Sequence, residues 1–62
     1  MKKMTALIRN QWGNLRIIRD EFKSQREFAA ELRGNGFRVL KIWSGDVPAS
    51  VVEEWEFFNR QN

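Results

Sequence analysis

LRIIRDEFKSQREFAAELRGNGFRVLKIW, residues 15 to 43, is the stretch that decides how this 62-residue chain folds. Its two ends, 15 to 22 and 37 to 43, are rich in the β-branched and aromatic residues that suit strands. Between them Ser24-Gln25-Arg26-Glu27 matches a capping box, in which the Ser hydroxyl accepts the N–H of the third helical residue and the Glu side chain reaches back. A helix is therefore predicted from Gln25, with Phe28, Ala29 and Leu32 as its apolar stripe and Arg26, Glu27, Glu31 and Arg33 toward water. Gly34 is expected to supply the left-handed residue that ends it. In the closing run Phe37, Val39 and Trp43 alternate with Leu40 and Ile42, so both faces are apolar, as in a strand interior to a sheet.

Working outward, residues 3 to 9, KMTALIR, form another strand-like run, joined to 15 to 22 through Asn10-Gln11-Trp12-Gly13-Asn14. Asn and Gly tolerate positive φ, so the pair reads as a hairpin with a loop of about four or five residues. A single helix through 5 to 22 would compete, but it would place Gly13 in its middle at a cost near 1 kcal/mol. On the other side Ser44-Gly45-Asp46 is a break. Asp46 is expected to cap a second helix over 47 to 59, with Pro48 in its first turn. Val51, Val52, Trp55 and Phe58 recur there at helical spacing, with Glu53, Glu54 and Glu56 largely opposite. The expectation is an α+β fold of order ββαβα, a single domain over 1 to 62. It has a three-stranded sheet with two helices packed on it, both on one face.

Composition narrows the chemistry. Cys and His are both absent. Disulfides and thiolate metal sites are ruled out, and the commonest general base and commonest metal ligand are missing. No hydrolase triad can be built without His. Ser24, Ser44 and Ser50 read as caps and helix starts. The Gly34-Asn35-Gly36 run lacks the Lys-Ser/Thr of a phosphate loop. The Glu53, Glu54, Glu56 cluster reads as a solvated helix face rather than a metal or acid/base pair. The chain is expected not to be an enzyme and to need no cofactor or metal. No apolar run approaches the roughly 18 to 20 residues of a membrane span, and Met1-Lys2-Lys3-Met4 does not open a signal peptide, so a soluble, cytoplasmic protein is expected.

Charge carries what the sequence says about partners. The net +3 divides unevenly: residues 1 to 41 hold ten Lys/Arg against four Asp/Glu, and residues 42 to 62 hold one Arg against four acids. Arg9, Arg16, Arg19, Arg38 and Lys41, on the predicted strands, are the candidate nucleic-acid contacts, with Trp12, Phe37 or Trp43 available to stack on bases. Strand alternation does not put all five on one face, since Arg16 and Arg19 have opposite parity; an ordinary solvated surface would look the same. Three Trp and five Phe are many for one small core, and large aromatics left at a surface often mark a protein contact. Trp12, Trp43 and Phe57 are the candidate partner-binding residues. Trp12, at the hairpin tip, either folds back as a lid on the core, the expected outcome, or projects as an anchor. Trp55 and Phe58 are expected in the core, and Phe57, offset around the helix, at the surface.

Residues 24 to 45 also resemble the helix-turn-helix of phage repressors and Cro-like proteins, with Gln25, Ala29, Leu32, Val39 and Ile42 at that family's spacings. The resemblance covers about a third of the chain and implies a DNA-binding recognition helix at 37 to 43. The chain departs from that pattern at the turn, where Arg33 stands in place of Gly, Gly34 in place of an apolar residue, and Gly36 would open the recognition helix. Three binding roles are thus expected in order: a nucleic-acid-binding accessory or regulatory protein using a basic sheet and hairpin; a protein adaptor or inhibitor, as a monomer or a homodimer, using exposed aromatics and the acidic last helix; and a Cro-like regulator.

Overall fold

The computed structural model describes residues 1 to 60. It contains β1 (Lys2–Arg9), β2 (Leu15–Phe22), α1 (Gln25–Gly34), β3 (Arg38–Ser44) and α2 (Ala49–Asn59), the expected ββαβα order. The strands form one antiparallel sheet in the order β2-β1-β3. β1, not the 37 to 43 run, is therefore the interior strand. Its five residues Met4, Thr5, Ala6, Leu7 and Ile8 are all buried, which requires cover on both faces of the sheet.

That cover comes from one helix per face. Met4, Ala6 and Ile8 cluster with Phe28 and Leu32 of α1, and Ile18, Phe22, Phe37, Val39 and Ile42 pack against this cluster. Thr5 and Leu7 have the opposite parity and face α2, where Val52 is buried and Trp55 meets Trp43 edge to face at 5.8 Å. The expectation that both helices share one face is overturned. A central strand with large apolar residues at both parities cannot be satisfied by a single layer of helix.

Strand β3 carries an irregularity that alternation could not reveal. Leu7 pairs with Lys41, but the next residue, Ile8, pairs with Val39, leaving Leu40 as the extra residue of a β-bulge. The bulge shifts the phase, so Phe37, Val39 and Ile42 all serve the α1 core while Leu40 and Trp43 turn to the α2 face. The segment where the Cro-like resemblance implies a recognition helix is instead the strand β3, Arg38–Ser44.

The ends of the helices differ in how well they follow the sequence. The Ser24 Oγ accepts the Glu27 N–H at 3.2 Å, and α1 begins at Gln25 as predicted. Gly34 stays within the helix, and the left-handed residue is Gly36, at φ +86°. Helix α2 starts later than expected, at Ala49 after Pro48, without a side-chain cap. Asp46 instead forms an exposed ion pair with Lys3 at 3.6 Å.

Candidate nucleic-acid interface

The hairpin tip is built around one side chain. Asn10 Oδ1 accepts the N–H groups of both Trp12 and Asn14 at 3.0 Å, and Gly13 takes the positive φ, +81°, that closes the turn. Arg9 Nη1 donates to the Gly13 carbonyl at 2.7 Å, bracing the loop from the strand below. With its backbone so held, Trp12 does not fold back on the core; it is 75% exposed and lies beside Asn35, Gly36 and Phe37 at the end of α1. The lid expectation for Trp12 is corrected to the projecting alternative.

Register places the other candidates. Arg9 stands opposite Arg38 across β1 and β3. Like charges directly opposite in a sheet are destabilising, by about 0.2–1 kcal/mol. Because α2 runs back over the sheet toward this end, Arg60 joins them: Arg9, Arg38, Leu40, Trp55, Glu56, Asn59 and Arg60 line a cleft of about 210 Å³. Glu56 is its one carboxylate and lies 3.6 Å from Arg60, so three guanidinium groups share a single counter-charge.

The remaining members of the predicted set do not join this cleft. Arg19 pairs with Thr5 at mid-sheet, away from the hairpin end, and its Nη2 donates to the Val47 carbonyl at 2.8 Å, holding the loop before α2. Lys41 is exposed opposite Leu7 at mid-strand. Arg16 pairs with Ile8 and so belongs to the α1 face, but on the edge strand it curls round to donate to its own Leu15 carbonyl at 2.9 Å. The sheet is not an open basic platform, since α2 lies across the face that carries Arg9, Arg38 and Lys41.

Among the aromatics, Trp43 is half-buried against Trp55 and is not available as a free partner contact. Phe57 is 47% exposed and Phe58 64%, packed edge to face with each other at 5.7 Å. Phe58 therefore leaves the core stripe assigned to it. Helix α2 turns Val52, Trp55 and Glu56 toward the sheet, and Phe58 falls about 120° round the axis from Val52 at 100° per residue. Glu56 correspondingly is half-buried rather than part of a solvated acidic face.

Sequence reading missed Arg60, the lone cation of an acidic segment. Its signal was positional: eight residues after Val52, it returns to the same face of the helix. Among the described residues no group of three acidic side chains could hold a metal, and no helix is long and apolar enough to cross a membrane. Comparison of the chain with known protein families, curated proteins and solved structures found no match.

Proposed function

We propose that this chain is a small non-enzymatic nucleic-acid-binding protein that grips a phosphate backbone at the hairpin end of the sheet. The observation that carries the reading is the pairing of Arg9 with Arg38 directly across the sheet, with Arg60 in the same cleft. Such an arrangement costs stability in isolation, and a polyanion that enters the cleft converts the repulsion into attraction. Trp12, projecting from the same end, presents a ring on which an unpaired base can stack. That combination favours single-stranded or looped nucleic acid over the grooves of a duplex.

The test is a titration with a short single strand and a duplex at low and moderate salt. Binding should weaken steeply with salt, and Arg38→Glu should lower both affinity and the salt dependence, since each lost phosphate contact removes about 0.7–0.9 from the log–log slope. Affinity unchanged in that variant removes the reading.

A second reading, a protein adaptor or inhibitor, is favoured by the exposed Phe57 and Phe58 pair on α2. Under it, Phe58→Ala abolishes capture of a partner protein and leaves nucleic-acid binding untouched.

A further inference from the structure

We propose that strand β2 is a homodimerisation edge, on which a second copy of this chain pairs antiparallel about a two-fold axis through Ile18, extending the sheet to six strands. Both helices leave this edge uncovered. On one face α1 packs more on β3 than on β2, so Ile18 and Phe22 remain half-buried. On the other, an open groove of about 660 Å³ runs between α2 and a floor of Leu7, Leu15 and Ile17. The edge itself is eight residues long, with no bulge and no proline, whereas β3 at the opposite edge is broken by its bulge. An edge without bulge, proline or covering helix is a template for another strand whose charges match its own.

Hydrogen-bond phase and charge point to the same register. Asn10 N–H donates to the Asn14 carbonyl, so the 10/14 pair is hydrogen-bonded and the pairs alternate down the hairpin from there. The backbone groups of Leu15, Ile17, Arg19 and Glu21 therefore point away from β1. Two of those outward groups are held by neighbouring charged side chains: Arg16 Nη1 donates to the Leu15 carbonyl at 2.9 Å, and Asp20 Oδ1 accepts the Glu21 N–H at 2.8 Å. A two-fold through Ile18 sets Leu15 opposite Glu21 of the second copy and Ile17 opposite Arg19, all outward-facing. The carbonyl that Arg16 caps and the N–H that Asp20 caps then satisfy each other across the interface. The freed Arg16 and Asp20 are themselves directly opposite in this register, on the same face, and form two symmetric ion pairs. Moving the axis to Ile17 or Arg19 sets Arg16 against Ile18 or Phe22 and leaves neither ion pair. Arg19, drawn to the Val47 carbonyl, is held back from its symmetry mate. The edge charges thus repel most strands and match a copy of their own, which is the self-complementarity an isologous contact requires.

Sedimentation equilibrium from micromolar to millimolar protein tests this with Arg16→Asp and Asp20→Arg, both at exposed positions. The wild-type chain should show a monomer–dimer equilibrium. Each single variant should raise the dissociation constant about tenfold or more, from two like-charge pairs in place of two ion pairs. An equimolar mixture of the two variants should dimerise as the wild type does, because every Asp then meets an Arg; this recovery also shows that both variants are folded. A wild-type chain that stays monomeric throughout, single variants that dimerise like the wild type, or a mixture without recovery would each overturn the proposal.

Discussion

The hydroxyl of Thr5 accepts the backbone N–H of Val47 at 3.0 Å and donates to the Gly45 carbonyl at 2.8 Å, fixing the loop before α2 to the middle of the sheet. Thr5 is fully buried, and its partners are forty and more residues away in sequence. Together with Arg19 on the Val47 carbonyl, this anchor fixes the entry to α2, which has no side-chain cap.

Thr5→Val keeps the shape of the side chain but strands the Val47 N–H and the Gly45 carbonyl. It should cost about 1–3 kcal/mol in urea unfolding. Thr5→Ser, which keeps the hydroxyl and loses one methyl, should cost about 1 kcal/mol. Equal stability of wild type and Thr5→Val would remove the anchor's energetic role.

Gly34 and Gly36 are separated by one residue and should respond in opposite directions to alanine. Gly34 is helical with open space around it, so Gly34→Ala should stabilise by about 0.4–1 kcal/mol. Gly36 also has open space but sits at φ +86°, where a Cβ strains the backbone, so Gly36→Ala should destabilise by about 1–2 kcal/mol. Thermal melts of the two variants check the sign of each.

Much of the fold was legible because local signals agreed with one another. The Ser24 cap, the Asn10–Gly13 turn and the strand runs each specify backbone conformation within a few residues, and each forms close to its expected bounds; of the capping box it is the Ser24 half that forms. The layer arrangement was not legible, because no local pattern says that β1 is the central strand, buried on both faces; the faces of β3 were misassigned because alternation assumes an unbroken strand and Leu40 bulges out of it. The cleft was half legible. Arg9 and Arg38 were named from their strands, but their juxtaposition depends on strand order and on that same bulge. Arg60 joins only because α2 crosses the sheet in a direction that no local pattern encodes.

Phe28→Ala should be the most damaging core truncation. Phe28 is 1% exposed and stacks on Phe22 with centroids 4.9 Å apart. Truncations of this kind cost about 3–5 kcal/mol, against about 3–9 kcal/mol for a whole domain of this size. The variant should therefore be partly or fully unfolded at room temperature, read by loss of dispersed amide resonances.

Trp12→Ala should leave the melting temperature within about 4 °C of wild type, since surface substitutions away from caps and networks rarely exceed 0.5 kcal/mol. It should nevertheless weaken binding to a single strand by about 1–3 kcal/mol, the usual worth of one base stacked on an aromatic ring. Loss of stability without loss of binding would return Trp12 to a structural role.

β1 occupies the centre of the sheet, and its second neighbour, β3, lies about thirty residues along the chain from it. Without β3 one side of β1 has no strand partner, so loss of β3 should open the core around Met4 to Ile8. Its amides at Thr5, Ala6 and Leu7 should exchange with solvent only when the entire molecule opens, and their exchange rates would then read out the global unfolding equilibrium directly.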